Sequence, residues 1–470
     1  MNQTIKGMIR NLASMVQNSN IGFVPNGGRI YFRKRSQPPL LVPMVYSYFE
    51  ATGDLKFVQE LLPTLYQEYQ FWVTHRQLTV TGPDGKMHSV FQYNSPANVP
   101  RPESYRQDVA TTAGMIQAKK SAVFHDIHSA CESGWDFSSR WFRDKKTLRT
   151  IRTTKVVPVD LNAIMFWNLD IFQFFYELTG NLTFSQNLEG QKIAFRRSFT
   201  TMFYNSSLGG WFDWDIENVR QNTDFYASVA VPLFTGAYQL LDYFKSEHLY
   251  TFLQNTGVLN FPGGIPTSLH NTTQQWDFPN GWPPLVHMII EGLRKSEDPQ
   301  MQEAAFQIAS KWVAGSYRVF QKTGHMFEKY NVINPIPAPG GGGEYHVQKG
   351  FGWTNGRPPC GWFSSPTLGT PGSGIARSGP TETNPTPGPG RNVKTAWFMQ
   401  YRDHFHPDIT MFKQQYQYSM DFYKPGGPLF VMIGDEAPID HIGWMMGGDW
   451  TLMRNASMQW HSSWSTATMA

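Results

Sequence analysis

The chain has 470 residues, a length that allows about three domains or one large domain with additional segments. Its formal net charge of +4 is too small to indicate binding to nucleic acid or to an anionic membrane surface. Aromatic residues make up 15% of the chain, which excludes disorder of the whole chain and is typical of clefts in which sugar rings stack on flat side chains. The two cysteines, Cys131 and Cys360, exclude a disulfide scaffold.

The first three quarters of the chain are predicted to be mainly helical. The first twenty residues lack the continuous apolar segment of a signal peptide. They predict an amphipathic helix, because Ile5, Ile9 and Val16 lie at helical spacing together with Met8 and Leu12. Later helical patterns, broken by proline, glycine and asparagine, favour a large all-α domain built of helical hairpins. These predicted helices cover residues 40–54, 55–75, 159–180, 222–244, 286–296 and 301–324.

The composition of the chain changes after Gly356. Residues 357–391 are rich in Pro, Gly, Ser and Thr and cannot build a packed core, so we expect a disordered linker. Beyond the linker, an apolar run from Leu429 to Ile433 is bounded by glycine and proline and predicts a buried strand. The sequence therefore predicts a helical domain over 1–356, a linker over 357–391 and a short α/β-like segment over 392–470.

Two carboxylates lie beside large aromatic side chains in loops of unusual composition. Asp136 lies between Trp135 and Phe137, and Glu328 follows Phe327. Apolar surroundings raise the pKa of a carboxyl group, which is what a general acid requires. Two carboxylic acids on opposite sides of a glycosidic bond suffice for its hydrolysis without a metal or a cofactor. A glycoside-processing all-α enzyme is therefore one interpretation of these residues.

Each of these features also allows a purely structural interpretation. Asp136, followed by Phe-Ser-Ser, could cap a helix, and Glu328 could end a helix in solvent. Arg101 and Glu103 could pair with each other. The glycines at 340–343 could form a slack loop, but they do not form a phosphate loop because no Gly-Lys-Ser/Thr follows them.

The remaining candidate residues are polar side chains in loops. One stiff loop carries Asn26, Arg35 and Gln37 between Pro/Gly breaks. Arginine and amide side chains supply the directional hydrogen bonds that sugar hydroxyls require. His125 and His128 are three residues apart, as in some metal sites, but no third ligand is placed beside them. A metal site is therefore not expected.

Five segments of the sequence, which contain most of the candidate residues, resemble the motif series of the α,α-trehalases. They occur in the same order as in that family. They are GFVPNGGRIYFRKRSQPPLL, RPESYRQD, ESGWDFSSRWF, QWDFPNGWPPL and GGGGEYHVQKGFGWTNG. The resemblance covers residues 1 to about 356, and QWDFPNGW is close to a family signature. It implies an (α/α)6 toroid that hydrolyses the disaccharide α,α-trehalose to two glucose molecules with inversion, without a cofactor.

The resemblance also implies roles for individual residues. Asp136 takes the position of the general acid and Glu328 that of the general base, with Glu344 as the second-ranked candidate for the base. No residue is implied to bind a metal. The implied substrate contacts are Asn26, Arg35, Ser36, Gln37, Arg101, Pro102, Glu103, Gly134 and Glu344.

The sequence departs from the family's pattern at both ends of the resemblance. The family's upstream segment, PGGRF-x-E-x-Y-x-W-D-x-Y, supplies an arginine and a Trp-Asp pair to the sugar, and it is absent from this sequence. The linker follows GFGWTNG, where the family continues into a closing helix. We therefore expect a toroid that is incomplete at its N-terminus and open at both ends. The alternative to an active trehalase is a catalytically impaired trehalase-like protein that binds sugar.

The tail resembles a different family. Residues 397–440 are similar to the N-terminal part of the prolyl-carboxypeptidase and thymus-specific serine protease family, which has an α/β-hydrolase fold. The catalytic triad of that family comes later in the chain, and no G-x-S-x-G occurs in this sequence. The tail is therefore interpreted as a fused fragment without a nucleophile, and peptidase activity is not expected.

The expected location follows from the trehalase resemblance and from glycosylation sequons. Full-length relatives imply an extracellular or membrane-associated protein, although the sequence has neither a signal peptide nor the roughly 18 consecutive apolar residues of a membrane span. Nucleic acid is not an expected partner, and protein partners are left open. The sequons that favour secretion and glycosylation lie at Asn2, Asn181, Asn205, Asn271 and Asn455.

Overall fold

A computed structural model describes most of the trehalase-like region and a small part of the tail. It divides the chain into two compact units, Met1–Arg101 with Gln107–Pro358, and Pro102–Arg106 with Pro359–Ala470. The predicted linker at 357–391 and the predicted strand from Leu429 to Ile433 lie outside the described residues. The described residues are 2–18, 22–238, 243–336, 338–355, 393–401 and 411–419.

Helices dominate the first unit, as the sequence predicts. Helices that follow one another pack as hairpins, α6 against α7 and α10 against α11, while α8 packs against both α6 and α10. The helices are α1 (Asn2–Asn18), α2 (Leu41–Thr52), α3 (Leu55–His75), α4 (Tyr105–Thr111), α5 (Gln117–Glu132), α6 (Val159–Leu178), α7 (Leu182–Phe203), α8 (Val231–Thr235), α9 (Tyr243–Asn255), α10 (Pro283–Arg294), α11 (Pro299–Thr323) and α12 (Gly352–Asn355).

Polar caps and glycines set the ends of the long helices. The side chain of Asp54 accepts a hydrogen bond of 3.2 Å from the backbone N–H of Phe57 and so begins α3. Asp298 caps α11 in the same way, and its Oδ1 accepts from the N–H of Met301 at 3.0 Å. Gly324 ends α11 with a φ of +75°, a left-handed conformation that glycine adopts without strain.

Helix α6 contributes to two large hydrophobic clusters at once. Ala163 and Phe166 belong to the cluster that also contains the tryptophans around the candidate site. Leu161, Met165 and Phe172 belong to the cluster that α2 and α3 form with α1. The sequence predicts this deep burial, because α6 is apolar on nearly all sides, and the structure confirms it.

Three helix predictions need correction or addition. The predicted helix at 222–244 is wrong over most of its length: Pro232 lacks an N–H and is tolerated in the first turn of a helix, and Gly236 ends α8 one turn later. In α1, Ile9 and Val16 are buried as expected, but Met8 is 64% exposed. Among the longer helices, α5, α7 and most of α9 were not predicted.

Short strands connect the helices of the first unit. The strands β1 and β2 form an antiparallel hairpin, β4 pairs with β5, and two three-stranded sheets have the orders β3–β6–β7 and β10–β9–β8. The second of these sheets brings together three chain segments that carry candidate residues. The strands are β1 (Gln77–Thr81), β2 (Met87–Phe91), β3 (Val156–Val157), β4 (Tyr204–Asn205), β5 (Gly210–Trp211), β6 (Asp213–Asp215), β7 (Arg220–Asn222), β8 (Asn280–Gly281), β9 (Tyr330–Asn331) and β10 (Ala338–Pro339).

The described part of the tail is a single antiparallel hairpin. The strands β11 (Val393–Tyr401) and β12 (Met411–Ser419) pair along their whole length, with Val393 opposite Ser419 and Tyr401 opposite Met411. Of its large apolar side chains, Trp397 is 57% exposed. A two-stranded hairpin buries too little surface to be stable alone in water.

Candidate active site

The loop that carries Asp136 begins where α5 ends. Gly134 lies two residues after Glu132, the last residue of α5, and has a φ of +72°. A Cβ atom at this position would lie 3.2 Å from Oε1 of Gln37. Only glycine satisfies both the left-handed backbone and the close approach of this side chain. The predicted contact residues Gly134 and Gln37 are therefore neighbours.

Glu132 anchors this loop to the segment that carries Ser36. Its buried carboxylate accepts hydrogen bonds from the guanidinium of Arg76, the shorter at 2.7 Å. It also accepts from the backbone N–H groups of Ser36 at 3.1 Å and Asn94 at 2.9 Å. Since all of these partners are remote in sequence, one buried carboxylate fixes three chain segments beside the candidate acid.

The residues after Asp136 are held by Asp277, whose side chain is fully buried. The carboxylate accepts hydrogen bonds from the hydroxyl groups of Ser138, Ser139, Ser268 and Thr272, and from the backbone N–H of Ser139 at 2.7 Å. This carboxylate therefore fixes the backbone immediately after the candidate acid by uncharged donors alone.

Ser138 and not Asp136 is the residue that caps the next turn. The Ser138 hydroxyl accepts from the N–H of Arg140 at 3.1 Å and begins the short 3-10 turn Ser139–Trp141. The capping interpretation of Asp136 is therefore wrong.

The surroundings of Asp136 raise the pKa of its carboxyl group into the neutral range. The side chain is partly buried, and burial raises its pKa to about 7. The negative charge of Glu344 also raises this pKa, while the charges of Arg101 and Arg35 lower it. The guanidinium of Arg101 lies 4.9 Å from the ring centre of Phe137, directly beside Asp136.

Arg101 joins the region of Asp136 to the end of the trehalase-like domain. It is 3% exposed, pairs with Asp108 at 2.6 Å, and pairs with Glu344 at 2.7 Å. The side chain of Glu344 is 24% exposed, so one face of this ion pair reaches solvent. Arginine and carboxylate together offer both donors and acceptors to a ligand hydroxyl.

Glu328 is a buried carboxylate, and the interpretation as a solvated helix end is wrong. It is 1% exposed and lies just before β9. The ammonium group of Lys329 donates to its Oε2 at 2.9 Å, and the hydroxyl of Tyr345 donates to its Oε1 at 2.8 Å. Both oxygens of the Glu328 carboxylate therefore accept a hydrogen bond within the fold.

Three of the four glycines at 340–343 lie directly against other residues, so the slack-loop interpretation is also wrong. A Cβ atom on Gly340 would lie 2.7 Å from Cγ of Lys329. Gly342 has a φ of +81°, and a Cβ atom there would overlap the carbonyl oxygen of Thr273. A Cβ atom on Gly343 would lie 3.0 Å from Cβ of Gln275, whereas a Cβ atom at position 341 would meet open space. Three positions of the run therefore require glycine because the chain passes directly over neighbouring residues.

A row of tryptophan rings runs between these segments. Trp135 stacks on Trp276 with ring centres 5.5 Å apart, and Trp276 stacks on Trp282 at 3.7 Å. Trp353 meets Trp282 edge-on, and its indole N–H donates to the backbone oxygen of Glu328 at 2.9 Å. The first three rings are buried, so they form part of the site's wall, where they exclude water.

The other predicted contact residues have these surroundings. The side chain of Asn26 donates to the carbonyl oxygen of Cys131 at 3.3 Å. Arg35 is 1% exposed and lies 4.9 Å from the ring centre of Phe32. Pro102 and Glu103 form a 3-10 turn, Pro102–Ser104, in the segment assigned to the second unit.

The two histidines have hydrogen-bond partners within the fold. The ring of His125 bonds to Asn94 at 2.8 Å, and the ring of His128 bonds to the carbonyl oxygen of Val99 at 2.9 Å. Burial lowers the pKa of His128 to about 3.

Sequence reasoning missed several residues that organise the site. Gln275, Asp277, Lys329, Glu132 and Arg76 were not singled out for any role. The first two lie in the recognised motif QWDFPNGWPPL, and Lys329 directly follows the candidate base Glu328. A buried carboxylate or ammonium within such a motif is a usable signal, because an unpaired buried charge is costly and so requires partners.

The helical hairpins and the short connecting sheets define a fold of the (α/α)6 toroid class. The trehalase family model matches residues 1–358, so the chain belongs to the trehalase family. The neutral trehalase Nth1 of Saccharomyces cerevisiae has a similar fold, with a TM-score of 0.57 at 17% sequence identity over 71% of this chain and 65% of that chain.

Curated trehalases are similar to the chain over the same region. The trehalase of Oryctolagus cuniculus is 42% identical over 362 residues, which are 76% of this chain and 61% of that protein. The trehalase of Homo sapiens is 41% identical, over 76% of this chain and 60% of that protein. The chain therefore spans about three fifths of the length of these relatives.

The comparisons give no support to the peptidase-like interpretation of the tail. The family match ends at residue 358, before the hairpin of β11 and β12. None of the helices in the described part of the chain combines the length and the hydropathy needed to span a bilayer.

Proposed function

We propose that this chain hydrolyses α,α-trehalose to two glucose molecules with inversion, with Asp136 as the general acid and Glu328 as the general base. The observation that carries this proposal is the contrast between the two carboxyls. Burial raises the pKa of Asp136 to about 7, so a protonated fraction is available near neutral pH. Glu328 accepts hydrogen bonds from the ammonium group of Lys329 and the phenol of Tyr345, which orient the carboxylate proposed to activate water.

Glu344 is assigned to substrate binding and not to the base. Its carboxylate pairs at 2.7 Å with Arg101, which is itself a proposed substrate contact, whereas Glu328 has the motif position of the base. Sugar hydroxyls both donate and accept hydrogen bonds, so a ring of arginine, amide and carboxylate groups suits them. The proposed substrate contacts within the first unit are Asn26, Arg35, Ser36, Gln37, Arg101, Gly134 and Glu344.

The proposal is tested by following glucose release from trehalose with the purified 470-residue chain. Inversion at one anomeric carbon yields one β-glucose and one α-glucose, so proton NMR in the first minutes is expected to detect both anomers in equal amounts. Asp136→Asn and Glu328→Gln are each expected to lower kcat by about 10²–10⁴-fold, whereas Glu344→Gln raises KM. Binding of trehalose without glucose release would instead support the catalytically impaired alternative.

The location and the tail are separate parts of the proposal. Sequons and the resemblance to trehalases support an extracellular or membrane-associated protein. The test is whether glycosidase treatment changes the electrophoretic mobility of the expressed chain. The tail's origin in a serine-peptidase family rests on the sequence of residues 397–440 alone. Peptidase substrates are expected to remain uncleaved.

A further inference from the structure

One amide side chain connects the segments of the two proposed catalytic carboxyls. The Nε2 group of Gln275 donates to the backbone carbonyl oxygen of Asp136. Its Oε1 accepts from the ammonium group of Lys329 at 2.9 Å, and the same ammonium donates to Glu328 at 2.9 Å. A continuous chain of hydrogen bonds therefore runs from the backbone of the acid to the carboxylate of the base.

The members of this chain are withdrawn from water. Gln275 is 2% exposed, Glu328 is 1% exposed and Lys329 is fully buried. The ammonium lies 4.8 Å from the ring centre of Trp282 and 4.9 Å from that of Tyr345. With these rings around it, the ammonium interacts with Glu328 far more strongly than it would in water.

The backbone of each bridging residue is fixed independently of the bridge. The carbonyl oxygen of Gln275 accepts from the side chains of Asn280 at 3.0 Å and Trp282 at 2.8 Å. The carbonyl oxygen of Lys329 accepts from the N–H of Gly340 at 2.9 Å, and Gly340 has no side chain that could displace it. The backbone is therefore fixed at both Gln275 and Lys329, the two residues whose side chains form the bridge.

We propose that Gln275 and Lys329 are positioning residues that fix the distance between Asp136 and Glu328 and hold the Glu328 side chain in place. This inference rests on the proposed function, because it assigns the two carboxyls to one reaction. Inverting hydrolysis requires carboxyls about 6.5–9.5 Å apart, with room for one water. Misplacement by about 1 Å costs on the order of 100-fold in rate, so a rigid link between the two segments has a direct catalytic consequence.

The first test removes the bridge without changing its volume. Gln275→Leu deletes both hydrogen bonds and is expected to lower kcat for trehalose by about 100-fold while KM changes by less than about twofold. Gln274→Leu is the matched control, since its side chain is partly exposed, and it is expected to leave kcat within about twofold. Equal losses in the two variants, or a change confined to KM, would overturn the assignment of Gln275.

A double-mutant cycle tests whether the two residues act as one unit. Lys329→Met keeps the length of the side chain and removes its charge. If the bridge acts as a unit, Gln275→Leu adds less than about threefold to the loss in kcat that Lys329→Met already causes. Losses in kcat that multiply in the double variant would show two independent structural effects and contradict the proposal.

A third readout works even if the chain releases no glucose, so it separates this inference from the proposed function. Lys329 and Tyr345 are titratable groups that donate hydrogen bonds to the Glu328 carboxylate. In Lys329→Met, the buried carboxylate loses its cation and takes up a proton more readily in the folded than in the unfolded state. The folded state is then stabilised as pH falls, so the Tm deficit relative to the wild type is larger at pH 8 than at pH 5.

The matched control for this readout removes both charges. Glu328→Gln combined with Lys329→Met leaves no unpaired buried charge, so its Tm deficit is expected to be the same at pH 8 and pH 5. A pH-independent deficit in Lys329→Met alone would show that the lysine contributes only packing, and the assignment of Lys329 would be wrong.

Discussion

The segments around Asp136 and Glu328 are stabilised by opposite kinds of chemistry. Around Asp136, uncharged hydroxyl and amide donors converge on Asp277 and leave the acid itself partly exposed. Glu328 is held directly by a cation and is almost fully buried. The comparison teaches that neighbours, and not the type of residue, set the surroundings of a carboxyl: burial raises the pKa of Asp136 to about 7, whereas Glu328 lies against an ammonium group.

The largest expected effect separates the acid from the base. Fluoride is a leaving group that needs little protonation by an acid. The Asp136→Asn variant is therefore expected to hydrolyse α-glucosyl fluoride within about tenfold of the wild-type rate. Its rate of trehalose hydrolysis is expected to fall about 10²–10⁴-fold. Glu328→Gln is expected to lose activity on both substrates, because each requires an activated water. Fluoride ion and glucose release are measured in parallel. If Glu328→Gln recovered activity on the fluoride and Asp136→Asn did not, the two roles would be exchanged.

The next effect concerns the anchor of the acid loop. Asp277→Ala leaves buried hydroxyl groups without their acceptor and is expected to lower the free energy of unfolding by about 3 kcal/mol. Displacement of the Asp136 loop is expected to lower kcat by about 100-fold as well. Denaturant unfolding and trehalose kinetics measure the two losses.

A surface aspartate supplies the control for this substitution. Asp170 is 51% exposed and pairs with Lys192 at 2.6 Å. Asp170→Ala is expected to cost less than about 0.5 kcal/mol, because exposed ion pairs contribute little to stability. Similar losses at both positions would mean that the hydrogen bonds to Asp277 do not stabilise the loop.

The fold could be predicted where local patterns decide the structure. The limits of α3 follow from Asp54 and from the apolar spacing, and the burial of α6 follows from its composition. The segment 222–244 was wrongly predicted as one helix, because its apolar residues suggested a long helix although Pro232 and Gly236 limit α8 to five residues. That prediction gave more weight to the spacing of apolar residues than to Pro232 and Gly236.

The candidate site could be predicted only in part. Asp136 and Glu328 were identified as candidates because they lie beside aromatic residues within recognisable motifs. Their supporting residues act across large separations in sequence: Asp277 bonds to Ser138, and Gln275 bonds to the backbone of Asp136. No local pattern encodes such pairs, because they form only when the helical hairpins have packed.

A smaller effect tests the contact between Gly134 and Gln37. Gly134→Ala combines a left-handed φ of +72° with a Cβ atom 3.2 Å from the Gln37 side chain. It is expected to cost about 1 kcal/mol of stability and to raise KM for trehalose several-fold by displacing Gln37. Gly114 has a φ of +77° and open space at the Cβ position, so Gly114→Ala is expected to cause the same loss of stability without the change in KM. A KM that rises equally in both variants would contradict the assigned contact.

The smallest expected effect is a displacement of the pH profile. Asp136 acts in its protonated form, so kcat/KM is expected to fall as pH rises through its pKa of about 7. The negative charge of Glu344 raises the pKa of Asp136, and the positive charge of Arg101 lowers it. Glu344 also pairs with Arg101 and so weakens the influence of that positive charge. Glu344→Gln removes the negative charge and leaves the charge of Arg101 unopposed. Both changes lower the pKa of Asp136, so the alkaline limb is expected to move to lower pH.

The control for this displacement is another ion-paired glutamate outside the site. Glu291 pairs with Arg294 at 2.7 Å on α10, and Glu291→Gln is expected to leave the alkaline limb unchanged. Because Glu344→Gln also raises KM, the limb is read from its position on the pH axis and not from the height of the profile. An alkaline limb that stays in place in Glu344→Gln would mean that Asp136 does not set it. The acid role would then have to be carried by a group outside the influence of Glu344.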